Sequence, residues 1–141
     1  MGRYLSIDYG RKRCGIAVTD TSRIIATGLT TVAAAGLEKF LADYMASEPV
    51  DLIIVGLPTT LRGEPSESMR YITPAVNRLK RVFPDTPIEF FDERFTSVLA
   101  HRAMIDSGMK KSDRRDKAVV DEISATILLN DYLQSKQYTS K

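Results

Sequence analysis

The pattern of apolar and polar positions begins with three stretches of strand length. Residues 4–8 (YLSID) and 14–20 (CGIAVTD) alternate or run apolar, and the charged, glycine-containing YGRKR between them is typical of a hairpin turn. Residues 24–32 (IIATGLTTV) add a third β-rich stretch. The chain is therefore predicted to open with a meander of three antiparallel strands.

Helical and strand patterns then alternate. Residues 36–48 repeat apolar side chains every three or four positions, which predicts an amphipathic helix. Residues 50–58 (VDLIIVGLP) are almost continuously apolar, as in a central parallel strand that is buried on both faces. Apolar positions at helical spacing from Met69 to Phe83 predict a second helix, which Pro74 is expected to kink or split.

The remaining elements complete an α/β fold. Residues 87–93 (PIEFFDE) predict a short strand, and helices are expected over 97–106 and 117–133. This order predicts a mixed five-stranded sheet, three antiparallel strands followed by parallel ones, flanked by helices. We expect a single domain over residues 1–134 and a polar, frayed C-terminal tail over 135–141.

Composition narrows the classes of protein and of metal site. No apolar run is long enough to span a membrane, and we expect no signal segment because a strand pattern starts at Tyr4. The single cysteine, Cys14, excludes an internal disulfide and predicts a cytoplasmic protein. With one histidine, His101, and no CxxC or HExxH motif, any bound metal is expected to be a hard ion held by oxygen atoms.

Three carboxylates stand at the ends of predicted elements: Asp8, Glu93 and Asp121. If they meet where the strands end, they suit two Mg²⁺ or Mn²⁺ ions and phosphodiester hydrolysis. Each also has an ordinary structural role open to it: Asp8 capping the turn or pairing with a nearby arginine, Glu93 pairing with Arg94, and Asp121 lying near a helix N-terminus. The convergence of the three is an inference from the predicted topology.

Basic residues flank these acids, although the net charge is only +2. Clusters at 11–13 and 110–117 indicate a phosphate-bearing ligand, with a solvated loop as the alternative. The residues expected to contact phosphate are Arg11, Lys12, Arg94, Lys110, Lys111, Arg114, Arg115 and Lys117. Tyr9 and Phe95 could stack on bases, but we expect both to be packed.

Four segments in order resemble the motifs of the YqgF family: SIDYGRKRCGIAVTD, IIVGLPTTLRGEPS, FFDERFTSVLA and VVDEISATILLNDYL. The resemblance implies an RNase H-like fold and a metal-dependent endo- or exonuclease that acts in ribosome biogenesis, on the 5′ end of pre-16S rRNA. It implies Asp8, Glu93 and Asp121 as catalytic, metal-binding residues. The motif positions expected to shape the site are Gly10, Gly15, Gly56 and Pro58. Pro74 and the SAT sequence after Asp121 depart from the family pattern.

Other interpretations stay open. A protein of the same fold could bind nucleic acid without cutting it, or resolve branched DNA at Holliday junctions as a two-fold dimer. The expected partners are structured RNA, such as pre-rRNA in a ribosomal precursor particle, or branched DNA. The sequence leaves the choice between monomer and dimer open. The first motif also resembles the phosphate-binding hairpin of actin-like ATPases and sugar kinases, but 141 residues are few for the two domains that those enzymes close around a nucleotide.

Overall fold

The structure is a computed structural model, and it describes residues 2–57, 69–92 and 117–139. Within these ranges the strands are β1 (Arg3–Tyr9), β2 (Arg13–Thr19), β3 (Ala26–Ala33), β4 (Val50–Leu57) and β5 (Ile88–Asp92). The helices are α1 (Leu37–Ser47), preceded by a 3₁₀ turn over Ala34–Gly36, then α2 (Met69–Val82) and α3 (Lys117–Thr139). No helix in the described ranges is long and apolar enough to cross a membrane.

The strands form one mixed sheet in the order β3-β2-β1-β4-β5. The first three strands are antiparallel neighbours, and β4 and β5 run parallel to β1. The predicted fold class is therefore confirmed. Because β1, β4 and β5 are parallel, their carboxyl ends lie at the same edge of the sheet.

Helices cover both faces of the sheet. Leu5 and Ile7 of β1 belong to the core beneath α1 and α2, together with Leu41 and Val76 of those helices. The opposite face holds a smaller core in which Ala125 and other residues of α3 pack on β2 and β4. Since side chains alternate along a strand, the even-numbered residues of β1 face α3.

Two helices differ from the sequence prediction. The helix α2 continues through Pro74 instead of splitting there. Pro74 lies on the exposed side of α2, so the carbonyl that loses its helical hydrogen bond can be hydrated. The helix α3 extends past the predicted end at Leu133 to Thr139, so most of the expected tail is helical. The helix predicted over 97–106 lies outside the described residues.

The contacts of one arginine stabilise the amino end of β1. Arg23, in the loop between β2 and β3, adopts a positive φ of 60°. Its guanidinium donates to the Gly2 carbonyl oxygen at 3.1 Å and to the Tyr4 hydroxyl at 3.3 Å, and it pairs with Asp51 of β4. It also lies over the Tyr4 ring, 4.7 Å from the centroid. These contacts fix the edge of the sheet that is opposite to the carboxyl ends.

Candidate active site

Asp8 is the penultimate residue of β1, at the carboxyl edge of the sheet. It is partly buried and lies on the face covered by α3, because Ser6, two residues earlier, contacts that helix. The position matches the prediction that a carboxylate would stand at this strand end.

Glycines occupy the strand positions on both sides of Asp8. Gly15 of β2 is its direct partner in the antiparallel register. On the other side Ile7 pairs with Val55 of β4, so the next position along β4, beside Asp8, is Gly56. Neither neighbour carries a side chain, as is common where a ligand or another backbone approaches a strand closely. The predicted site-shaping role of both glycines stays a prediction.

A buried hydrogen bond sets the position of α3 on β1. The Ser6 hydroxyl donates to the carbonyl oxygen of Ala125 at 2.7 Å, and both residues are fully buried. Ser6 lies beside Ala17 of β2, which in turn pairs with Gly28 of β3. These small residues let the helix approach the sheet closely at this point.

The Ser6–Ala125 hydrogen bond also determines where the backbone of Asp121 lies relative to Asp8. Tyr132 of α3 meets Tyr4 of β1, and Ala125 meets Ser6, so the helix runs antiparallel to the strand. Asp121 is four residues before Ala125, about 6 Å along the helix, and Asp8 is two residues after Ser6, about 6.6 Å along the strand. The two acidic positions therefore lie at the same level at the carboxyl edge.

Several predicted residues lie outside what the structure describes. Glu93 follows directly on Asp92, the last residue of β5, but is not among the described residues. The same holds for Pro58, Arg94 and the basic residues Lys110, Lys111, Arg114 and Arg115. Asp121 and Lys117 belong to α3 by their backbone only. Among the side chains that are described, no three histidine, cysteine or acidic residues form a metal-binding group.

The turn after Asp8 has a backbone that requires glycine. The Gly10 amide donates to the Arg13 carbonyl oxygen at 2.9 Å, and a Cβ atom at Gly10 would lie 2.5 Å from that same oxygen. Arg11 and Lys12 are exposed at the tip of the turn. The turn thus presents two cations at the edge where Asp8 lies.

Two residues near this edge were missed by the sequence analysis. Ser6 shares the face of Asp8 by simple alternation, and a polar residue inside a buried strand was the signal that could have found it. Tyr71 of α2 contacts Tyr9, with ring centroids 6.0 Å apart. Burial raises the pKa of the Tyr9 phenol, and the neighbouring Cys14 and Tyr71 raise it further. Tyr9 therefore stays neutral at physiological pH.

Comparison with known proteins decides the family. The family model described as "RuvX: Holliday junction resolvase" matches residues 2–135. This chain belongs to the RuvX family. The resemblance to YqgF proteins is thereby confirmed, since RuvX and YqgF denote one family.

Curated RuvX relatives match over nearly their whole length. The protein from Phocaeicola vulgatus is 59% identical over 138 residues, which cover 98% of this chain and 99% of the relative. The proteins from Bacteroides thetaiotaomicron and Flavobacterium johnsoniae are 57% and 51% identical, each with 98% of this chain and 100% of the relative covered. All three carry the name "Putative pre-16S rRNA nuclease".

A solved structure shares the fold. "T. thermophilus RuvC in complex with Holliday junction substrate" superposes with a TM-score of 0.58 at 13% identity and covers 96% of both chains. At this identity the similarity concerns the fold alone, and it confirms the RNase H-like architecture of this RuvX chain.

Proposed function

We propose that this chain is a nuclease that hydrolyses phosphodiester bonds of RNA and matures the 5′ end of pre-16S rRNA in the cytoplasm. The proposal is supported by the names of relatives that are 51–59% identical over 96–98% of this chain. The observation that carries it is the placement of Asp8 and the Asp121 backbone at one level of the carboxyl edge, with Gly15 and Gly56 beside Asp8.

Divalent metal ions form the second part of the proposal. The donor set of Asp8, Glu93 and Asp121 consists of carboxylate oxygens, which Mg²⁺ and Mn²⁺ prefer. When bound, two such ions would supply Lewis acidity to the phosphate and to an attacking water. The glycines beside Asp8 place no side chain next to the carboxylate that would compete with such ions.

The chain's own residues would bind and orient the substrate. Arg11 and Lys12 are exposed on the turn after Asp8, within one hairpin of the carboxylate, and would hold non-bridging phosphate oxygens. A further basic set would follow the nucleic-acid backbone: Arg94, Lys110, Lys111, Arg114, Arg115 and Lys117. Because each phosphate contact releases counterions, binding would weaken steeply with salt.

A second candidate function is cleavage of Holliday junction DNA. It is favoured by the description of the family model and uses the same three carboxylates. Symmetric cutting of two strands needs a two-fold dimer, whereas trimming of a ribosomal precursor does not. The substrate, and with it the oligomeric state, separates the two functions.

The test compares both substrates in one assay. Labelled pre-16S rRNA leader and a four-way DNA junction are incubated with Mg²⁺ or Mn²⁺, and the cleavage products are resolved on gels. We expect cutting of the RNA that disappears in chelator. Cutting of the junction alone would move the assignment to DNA, and cutting of neither would favour a protein that binds nucleic acid without cleaving it.

A further inference from the structure

A pair of tyrosines stands at the carboxyl edge on the face opposite to Asp8. Tyr9 is the last residue of β1, and Tyr71 lies in the first turn of α2. Their rings are 6.0 Å apart between centroids, with planes inclined by 35°. Both residues are partly buried and pack against the core beneath α1 and α2.

The hydroxyl ends of these two side chains reach solvent. Neither phenol has a hydrogen-bond partner among the described residues. Among the described residues no side-chain nitrogen or oxygen is both fully buried and without a partner, so these two hydroxyls are not fully enclosed. Tyr9 thus packs against the core on one side only. The partly exposed hydroxyl edges of Tyr9 and Tyr71 are called the rim below.

Three exposed cations lie close in sequence to the two tyrosines. Arg11 and Lys12 on the preceding turn and Arg70, next to Tyr71, are all exposed. None of the three forms an ion pair with a described residue. Partly exposed aromatic side chains beside cations are the arrangement that single-stranded nucleic acids recognise.

The rim is close to the candidate cleavage site. Tyr9 follows Asp8 directly, so their Cα atoms are about 3.8 Å apart. Their side chains point to opposite faces of the sheet. A nucleic-acid strand that crosses the carboxyl edge with one phosphate at Asp8 would bring the base of a neighbouring nucleotide to the tyrosines.

We propose that Tyr9 and Tyr71 form a docking platform for an unpaired base beside the cleaved phosphodiester, so that the site takes a single strand and not a duplex arm. This inference rests on the proposed nuclease function. It adds to it the state of the substrate, because bases inside a duplex are stacked on one another and cannot reach an aromatic pair.

The experiment measures binding without cleavage. Fluorescence anisotropy with a labelled single-stranded RNA is recorded in chelator and in an Asp8→Asn background, for the parent and for Tyr71→Leu, which keeps apolar packing but removes the ring. Loss of a stacking partner is expected to weaken binding about 5- to 20-fold. Tyr71→Phe retains the ring and should bind like the parent. An RNA duplex and a four-way DNA junction should bind equally well with and without Tyr71→Leu.

A matched control is available on α1. Tyr44 is also partly buried and stacks on Phe40 at 6.0 Å, but it lies near Arg3 at the amino end of β1. Tyr44→Leu should therefore leave RNA binding unchanged. A second variant, Arg70→Gln, should lower the slope of log Kd against log salt by about one.

The platform would be overturned if a folded Tyr71→Leu protein bound single-stranded RNA as tightly as the parent. It would also be overturned if the substitution weakened the binding of single strands and of duplexes equally. A parallel loss with single-stranded DNA supports it, since the platform reads an unpaired base. Failure of the nuclease proposal would instead appear as absence of RNA cleavage by the wild type, whatever the binding results.

Discussion

Replacing Ser6 tests whether the contact between β1 and α3 positions the acidic residues. The Ser6→Ala variant removes one buried hydrogen bond to Ala125 and leaves no clash. The Ala125 carbonyl keeps its helical hydrogen bond, so the expected loss of stability is about 0.5–1.5 kcal/mol. For a chain of this size each kcal/mol lowers the melting temperature by about 3 °C.

The Ser6→Val variant acts differently because it adds volume at a fully buried position. The hydroxyl oxygen is 2.7 Å from the Ala125 carbonyl oxygen. A methyl group requires about 3.3 Å or more to the same atom, so α3 must move outward by roughly 0.6 Å. Overpacking and the lost hydrogen bond together should cost about 2–4 kcal/mol.

Displacement of α3 should also reach Asp121, one turn from Ala125. Since misplacement of about 1 Å can lower a rate a hundredfold, Ser6→Val should lower kcat roughly 10- to 100-fold. Ser6→Ala should cleave close to the wild-type rate. Both are measured by single-turnover RNA cleavage at a temperature where circular dichroism shows each variant folded. A folded Ser6→Val protein with the full wild-type rate would refute the positioning role.

Two further predictions concern stability. Burial, helped by Glu89, raises the pKa of Tyr132 to about 12. Because this value exceeds the ordinary 10, the neutral phenol stabilises the fold fully below pH 10, and this contribution, at most about 2–3 kcal/mol, is lost between pH 10 and 12. In Tyr132→Phe the urea midpoint of unfolding should therefore fall less steeply with pH over that range. The same slope in the variant and the wild type would contradict this. At Gly28 a Cβ atom would lie 2.6 Å from a Glu122 carboxylate oxygen and 2.8 Å from its Cγ, whereas at Gly36 it would meet nothing within 4 Å. Gly28→Ala should therefore lower the melting temperature more than Gly36→Ala does. In a Glu122→Ala background this difference should disappear. Equal melting temperatures of the two glycine variants with Glu122 in place would show that the Glu122 side chain moves aside freely.

The sheet could be predicted closely because alternation and burial are local signals. The nearly continuous apolar run of β4 indicated a central strand, and the structure places it between β1 and β5. The continuity of α2 through Pro74 and the end of α3 were harder to predict. An exposed proline is tolerated inside α2 because packing of Ile72, Val76 and Leu79 holds the helix together, and such tertiary support leaves no local mark.

The candidate site was predictable only in part. Asp8 could be found because a carboxylate at the end of an apolar strand is unusual. The Ser6–Ala125 hydrogen bond joins residues 119 positions apart, and the contact of Tyr9 with Tyr71 joins β1 to α2, with β2, β3, α1 and β4 between them in the chain. Neither pairing follows from spacing along the chain, since each depends on how α2 and α3 are laid on the sheet.

The most direct test of the account is RNA cleavage by Asp8→Asn compared with Asp85→Asn. Asp85 is an exposed acid in the turn before β5, at the opposite edge of the sheet, and provides a control with the same change of charge. With Mg²⁺ present, Asp8→Asn should lower the single-turnover rate roughly a thousandfold while RNA binding persists, and Asp85→Asn should cut like the wild type. Equal cleavage by the two variants would contradict the assignment of Asp8 to the active site.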